Sequence, residues 1–387
     1  MSAFNRRKQM EAAKVVHLTS AHPALDLRIF HKECRTLARA GFRVTIIGRH
    51  ATDSVVDGVR IKAIPAEQRR IARMTRLVWR VYREALRQNA DLYHFHDPEL
   101  IPVGLLLRAA GKRVIYDVHE DVPKDILSKY YLPGWSRHLL SWAVRQVQSV
   151  SCRHFSAIVA VTPSIAERFR AINDHTVTVH NFPYIQEFVK EAAPWDDRLP
   201  AVAYIGGITA QRGIREMVLA MALLPKWLPA TLEMAGNRVP EHAHPEELYR
   251  HPGWARVRHH GTLDRKGVFD LLSRVRAGLV LFHPKPNHRE AMPHKLFEYM
   301  GAGLPVIASD FPFWRQMFGG TGCAIFVDPL DPTAIAGAIE YVLSHPQEAA
   351  RMGKQGQAAV VNRYNWETEE RELVNLYSGL VEPVCAG

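Results

Sequence analysis

Short apolar runs rich in β-branched residues return along the chain, each followed by a longer stretch with the period of an amphipathic helix. In the first half they are KVVHLT from Lys14, RVTIIG from Arg43, VRIKAI from Val59, DLYHFH from Asp91, RVIYDV from Arg113 and AIVAVT from Ala157. Strands alternating with helices build a parallel sheet covered on both faces, so this half is expected to be one doubly wound domain.

A weaker run, TVTVHN from Thr176, is followed by FPYIQEFVKEAAPWDDRLP, which mixes prolines, aromatics and charges without a period and places a linker at 185–199. Alternation restarts with AVAYIGG from Ala201, ATLEMAG from Ala230, RVRHHG from Arg256, AGLVLF from Ala277, PVIASD from Pro305 and AIFVDP from Ala324. The pattern predicts an α/β protein of two Rossmann-like doubly wound domains facing a cleft, over residues 1–184 and 200–363. A helical tail over 364–387 is expected to pack back toward the first domain. Ligands of such sheets sit at the carboxyl ends of the strands.

Composition agrees with two cores: 387 residues, 47% hydrophobic and 23% charged. The four cysteines, Cys34, Cys152, Cys323 and Cys385, are scattered and suggest neither a zinc knuckle nor a disulfide framework. The polar start MSAFNRRKQMEAAK lacks the apolar core of a signal peptide, and no uncharged apolar run is long enough to span a bilayer. A cytoplasmic protein is expected. Its net charge of +11 points to anionic partners: nucleic acid, phosphorylated small molecules or acidic lipid.

Two loops in the second half carry candidate chemistry. In GGITAQRGIREM, Gly206 and Gly207 let backbone approach a ligand, the following helix offers free N–H groups, and Arg212 adds a fork of donors suited to a diphosphate. Taken alone, the loop reads sooner as a tight turn with a solvated arginine. In REAMPHKLFEYMGAG, Pro293 opens a helix over His294 to Gly301 that sets Lys295 and Glu298 on one face. Lys295 stands where the helix dipole favours an anion, and Glu298 suits a ribose diol. The plain alternative is a surface ion pair worth roughly 0.3 kcal/mol.

The paired glutamates Glu290 and Glu298 with Lys295 between them, EYMGAGLPVIAS, and the earlier GGIxxxRGI resemble the donor site of family 4 of the retaining glycosyltransferases, of GT-B architecture. LAxAGxxV, HFHD and the helical tail fall in the same order, so the resemblance spans the chain. It implies a nucleotide diphosphate sugar, UDP- or GDP-linked, as donor, and no separate cofactor. Arg212 and Lys295 would bind the diphosphate, Glu298 the ribose and Glu290 the sugar. The backbone of Ala291, Met292, Pro293 and His294 would touch sugar and phosphate, with Gly261 and Leu263 near the base. His119 is the residue expected at the transferring centre.

The chain departs from the family pattern where many members carry a Gly-Gly loop after the first strand; here the sequence is SAHPALDLRIFHKEC. It also has Gly207 where an arginine is common, leaving Arg212 and Lys295 as the main phosphate pair. Asp26 and Arg28 are therefore acceptor-side candidates, with His96 and Asp97 at the end of the strand in HFHDPEL. These acids and histidines lack a dedicated ligand spacing such as HExxH, so no catalytic metal is expected.

Arg69, Arg73, Arg76, Arg80, Arg83 and Arg87 recur at helical spacing, with Met74, Leu77, Val78, Val81 and Ala85 as the apolar face. Such a helix, extended by Arg70, either lies on an anionic membrane or packs as a solvated outer helix. SKYYLPGWSRHLLSWAVRQ from Ser128 interleaves aromatic and basic residues and is a second candidate anchor. The partners expected are a nucleotide-sugar donor, a glycan or lipid-linked acceptor, and an anionic membrane surface. A nicotinamide oxidoreductase would need G-x-G-x-x-G, which is missing, and a nucleic-acid-binding protein would leave the paired glutamates unexplained.

Overall fold

The computed structural model describes residues 13–67, 69, 73–129, 131–188, 194–237 and 245–381. The polar start before Ala13, Arg70, the middle of the expected linker and the end of the tail with Cys385 lie outside the described residues. The chain forms two compact units: one takes the residues up to Asn181 together with those from Thr368 onward, and the other runs from Phe182 to Glu367.

The first unit holds an eight-stranded sheet: β1 (Lys14–Pro23), β2 (Arg43–Arg49), β3 (Ser54–Val56), β4 (Val59–Ile64), β5 (Leu92–Phe95), β6 (Arg113–Val118), β7 (Ala157–Ala160) and β8 (Thr176–Thr178). Their order is β3-β4-β2-β1-β5-β6-β7-β8, parallel except for β3 against β4. The sequence reading missed β3. Its signal was the Asp-Gly pair between two apolar runs: Asp57 and Gly58 take φ of 50° and 79°, the left-handed pair that closes a tight hairpin.

Helices pack on both faces, which is why β5 and β7 are buried at every position. They include a π-helical segment Ile29–Cys34 continuing into α1 (Arg35–Arg39), then α2 (Val78–Gln88), α3 (Ile101–Ala109), α4 (Val122–Leu127), α5 (Gly134–Cys152) and α6 (Pro163–Arg170). His17, His94 and Asp117 lie inside strands of this sheet and are wholly buried. Buried polar groups in a parallel sheet carry a desolvation cost, so they mark a site rather than a core.

The second unit holds β9 (Ala201–Ile205), β10 (Thr231–Ala235), β11 (Val257–His259), β12 (Ala277–Val280), β13 (Val306–Ser309) and β14 (Ala324–Val327) in the all-parallel order β11-β10-β9-β12-β13-β14. This is the 3-2-1-4-5-6 winding, whose strand order reverses between β9 and β12. Its helices include α7 (Ile214–Leu223), α8 (Arg265–Leu272), α9 (His294–Gly301), α10 (Pro312–Phe318), α11 (Pro332–Ser344), α12 (Pro346–Asn362) and the start of α13 (Trp366–Val381).

The segment expected as a linker is part of this second unit. Phe182 is buried against Phe297 and Tyr364 at centroid distances of 4.7 and 5.4 Å, and the Ile185 N–H donates to the Glu367 carboxylate. A short helix, Ile185–Phe188, and a 3-10 turn, Trp195–Asp197, lie within it. The aromatics that spoiled its periodicity are the ones that pack. Trp366 is fully buried and its N–H donates to Pro183 O, so the chain passes to the first unit at Thr368, four residues later than the tail boundary read from sequence.

Candidate functional site

The loops that follow β9 and β12, the neighbours at the strand-order reversal, bring together most of the donor candidates. Gly206, directly after β9, has φ 122°. A Cβ there would lie 2.9 Å from Lys295 Nζ and 3.5 Å from Arg212 Nη1, so glycine is what allows both cations to close on the loop. Behind it, a side chain on Gly236 would strike Gly206 O at 1.9 Å, which fixes the two strand-end turns against each other. Gly278 in β12 does the same for α9: the Tyr299 ring occupies the place of its Cβ, and Tyr299 Oη accepts from the Ile205 N–H at 2.8 Å. That contact draws the first turn of α9 up to the end of β9.

Lys295 is buried in that turn with its Nζ 3.8 Å above the Tyr204 ring, and the Nζ has no hydrogen-bond partner. Burial and the neighbouring Arg212 charge push its pKa well below the usual lysine value, against the pull of Glu298. Arg212 donates to Gly207 O at 3.5 Å. The expected alternative of a Lys295–Glu298 surface pair does not form. Glu298 is buried, and its Oε1 instead takes Arg265 Nη1 at 2.6 Å and His294 Nδ1 at 2.7 Å. Burial opposes its charge, yet His294 and Arg265 hold its pKa down at about 2.

Because that folded value lies below the ordinary 4.5, the ionised Glu298 contributes stability above about pH 4.5 that is lost as the pH falls towards about 2. Glu298→Gln is therefore expected to lower the melting temperature at pH 7, with the gap from the parent closing as thermal melts are taken down through that window. A gap that stays constant across it would contradict the assignment.

The turn between β12 and α9 carries Glu290, Ala291, Met292 and Pro293, while Gly261 and Leu263 follow β11. Glu290 is half-buried, Trp314 Nε1 donates to Ala291 O at 2.7 Å, and the His283 N–H donates to Gln211 O at 2.9 Å, tying this turn to the loop after β9. Met292 and Leu263 pack on the unit's core, and Gly261 O accepts from the Gly236 N–H at 2.7 Å. Pro293 caps α9 in extended conformation.

In the first unit, strand order reverses between β1 and β5, and His96 and Asp97 follow β5 directly. Asp97 Oδ2 accepts from the N–H groups of Ser20 and Ala21 at 2.6 and 3.0 Å and from Thr19 Oγ1 at 2.8 Å, while Oδ1 pairs with His22 at 2.8 Å. These bonds outweigh burial and hold the Asp97 carboxyl well below its usual range. His119, which keeps 17% of its side chain exposed, sets Nε2 2.6 Å from Asp117 Oδ2, and His96 Nδ1 lies 3.1 Å from the same oxygen.

The two acceptor-side candidates of this segment hold internal contacts. Arg28 is buried: its Nε and Nη2 meet the two oxygens of Asp117 at 3.1 and 3.0 Å, and Nη1 donates to Val179 O at 3.0 Å. Asp26 Oδ1 accepts from the N–H groups of Arg28 and Ile29 at 2.8 and 3.1 Å. Arg28 is thus an internal clamp and Asp26 a helix-start cap. Burial opposes ionisation of Asp117, but Arg28 and His119 hold its pKa well below normal, whereas burial and the Asp117 charge push Glu33 well above.

The basic helix also differs from its sequence reading. Leu77, Val81 and Ala85 face the core, but Met74 is 53% exposed beside Trp79 at 56%. The apolar face is already used against the sheet; Arg76, Arg80, Arg83 and Arg87 point outward. The side chain of Arg73 lies outside the described residues. On α5 the arrangement is the reverse, with Trp135, Leu139, Trp142 and Val150 exposed along one stripe. No described helix is long and apolar enough to cross a membrane.

Sequence reasoning missed Tyr204 beneath Lys295 and Arg265 beside Glu298. Tyr204 stood among strand residues with nothing to single it out. Arg265 had a weak signal, the GTLDRK stretch already placed near the base.

Two family models match successive parts of the chain: a glycosyl transferase 4-like domain over residues 28–183 and glycosyl transferases group 1 over residues 185–359. The chain belongs to the family 4 type of glycosyltransferases and has the GT-B fold. It is 25% identical over 288 residues to the D-rhamnosyltransferase WbpZ of Pseudomonas aeruginosa, covering 73% of this chain and 71% of that one. It is 21% identical over 309 residues to an MMP alpha-(1->4)-mannosyltransferase of Mycolicibacterium hassiacum, covering 77% and 73%.

Among solved structures, a sucrose-phosphate synthase from Thermosynechococcus elongatus superposes with a TM-score of 0.75 at 20% identity, over 95% of this chain and 99% of that one. HepE of Anabaena in complex with UDP and glucose gives 0.71 at 15% identity, over 95% and 100%. The protein is an enzyme of sugar transfer, and the oxidoreductase and nucleic-acid readings are set aside.

Proposed function

We propose that the enzyme moves a sugar from a UDP- or GDP-sugar to a hydroxyl of a glycan or lipid-linked acceptor, with retention of anomeric configuration. The observation that carries this reading is Lys295: a buried amine without an acceptor, beside Arg212 and at a helix start, is a cradle for a diphosphate. As the bond from the anomeric carbon to the diphosphate breaks, its electron pair goes to the phosphate oxygen, where Arg212 and Lys295 offset the growing charge. The acceptor oxygen bonds to the carbon, and its proton passes to the departing phosphate oxygen. Glu298, held through Oε1 by Arg265 and His294, takes the ribose; Glu290 and the backbone from Ala291 to His294 take the sugar. Gly261 and Leu263 border the base, and His119 stands at the transferring centre. The step needs no cofactor or catalytic metal.

HepE, which holds UDP, and the named rhamnosyl- and mannosyltransferases support a nucleotide-sugar donor of this kind. Thermal shift against UDP, GDP and ADP with their sugars tests it. A ligand at 100 times its Kd is expected to stabilise the native state by about 2.7 kcal/mol. If no nucleotide diphosphate raises the melting temperature, the donor site is wrongly assigned.

The exposed α5 stripe and the arginine face of α2 support peripheral attachment to an anionic membrane at the cytoplasmic side, with the lipid-linked acceptor presented there. Both helices pack against α3, so they lie on one face of the sheet. Trp135→Glu with Trp142→Glu is expected to abolish flotation with liposomes rich in acidic lipid, while Arg80→Glu with Arg83→Glu weakens it most at low salt. Undiminished flotation of the double tryptophan variant would sink the idea.

A further inference from the structure

Three imidazoles and a carboxylate that the proposed transfer does not use meet beneath the strand ends of the first unit. His17 comes from β1, His94 from β5, His96 from just beyond it, and Glu33 from the π-helical segment. All four are at most 2% exposed. The ring centroids of the histidines are 4.9, 5.2 and 4.6 Å apart.

Glu33 Oε2 lies 4.0 Å from His17 Nδ1, 3.8 Å from His94 Nδ1 and 4.0 Å from His96 Nδ1, too far for hydrogen bonds yet close to equal. Oε1 is 3.0 Å from Arg28 Nε, the acid also lies against the Asp117 carboxylate, and neither oxygen accepts an aligned hydrogen bond. His94 Nε2 also has no partner. A buried carboxylate left in this state is costly, and native proteins resolve such groups with a partner, a water or an ion.

We propose that His17, His94, His96 and Glu33 hold one divalent transition-metal ion, zinc by preference, which fastens β1, β5 and the π-helical segment together and takes no part in the sugar transfer. Four candidate donor atoms, one from each residue, lie within 4.8 Å of one another. Zinc bonds of about 2.05 Å at tetrahedral angles need donors about 3.3 Å apart, so inward shifts of up to roughly 0.8 Å for the outermost donors complete the set. His17 Nδ1 and His96 Nε2 share a hydrogen bond at 2.9 Å, which the ion would replace as it parts them to the spacing of adjacent ligands. Three imidazoles and a carboxylate suit zinc and its transition-metal neighbours, and suit calcium and magnesium poorly.

The surroundings resemble an outer shell. Tyr377 Oη lies 3.2 Å from His17 Nε2, where it accepts that N–H and leaves Nδ1 free to ligate. The same hydroxyl lies 2.6 Å from His94 Nδ1, so the unpartnered Nε2 is the His94 atom open to the ion. Arg28 stays on Oε1 and Asp117, leaving Oε2 to the metal.

The test uses the full chain without a histidine tag. Atomic emission on protein purified without chelator is expected to find about one zinc per chain. Expression in cobalt-supplemented medium should give the intense visible bands of four-coordinate cobalt, and these should vanish in Glu33→Gln and His94→Gln. If the variants fail to fold, the wild-type metal content and cobalt spectrum decide alone. Wild-type protein with under about a tenth of an equivalent of any transition metal and no cobalt band overturns the proposal, as do bands that survive in both variants.

Discussion

Lys295→Ala is expected to lower the transfer rate by about 10²–10³-fold, the cost of removing one preorganised donor from a developing negative charge. It should also weaken nucleotide diphosphate binding while leaving the melting temperature of the free enzyme unchanged or higher, because the amine is buried without a partner. The depressed Lys295 pKa adds a second signature. An arriving diphosphate favours the ammonium, so at a pH between the lowered value and the ordinary lysine value binding draws a proton from the buffer. Calorimetric titrations in buffers of different ionisation enthalpy should show this uptake in the parent and not in the variant. A transfer rate within about threefold of the parent would remove Lys295 from the phosphate site.

Arg28→Leu is expected to destabilise the enzyme by about 3–5 kcal/mol, which is the cost of leaving buried charge without its counterion. Two buried carboxylates, Asp117 and Glu33, converge on this one guanidinium. Urea unfolding with an unchanged m-value would measure the loss. A loss under about 1 kcal/mol would mean the clamp contributes no more than a surface pair. Asp117 is the carboxylate that accepts from His119, so the variant should also lose activity at temperatures where it remains folded.

The strands were legible because apolar runs bounded by turn residues leave a period in the sequence, and α9 was legible because Pro293 opens it. The meeting of Gly206, Arg212 and Lys295 was legible too, since a glycine loop and two cations suited to one diphosphate follow neighbouring strands. What stayed hidden was pairing across distance. Arg265 stands 33 positions before Glu298, and Tyr377 stands 283 after His94. Arg28 looked like a solvent-facing acceptor contact because nothing local announces that Asp117, 89 positions on, lies within its reach. Met74 was counted into an apolar face by its position on the helical wheel, but the wheel does not say how wide a face the sheet can cover.

The division of α13 has a consequence for the order in which the protein is made. Its residues from Thr368 complete the first unit: Glu369 accepts from His180 N at 2.7 Å, and Tyr377 is wholly buried among the histidines of β1 and β5. On the ribosome, the first unit therefore waits for the final segment of the chain, while the second, contiguous from Phe182 to Glu367, emerges whole before it. Synthesis runs from the first unit to the second, but completion runs the other way. A nascent chain stalled before α13 would leave the floor of the histidine cluster open.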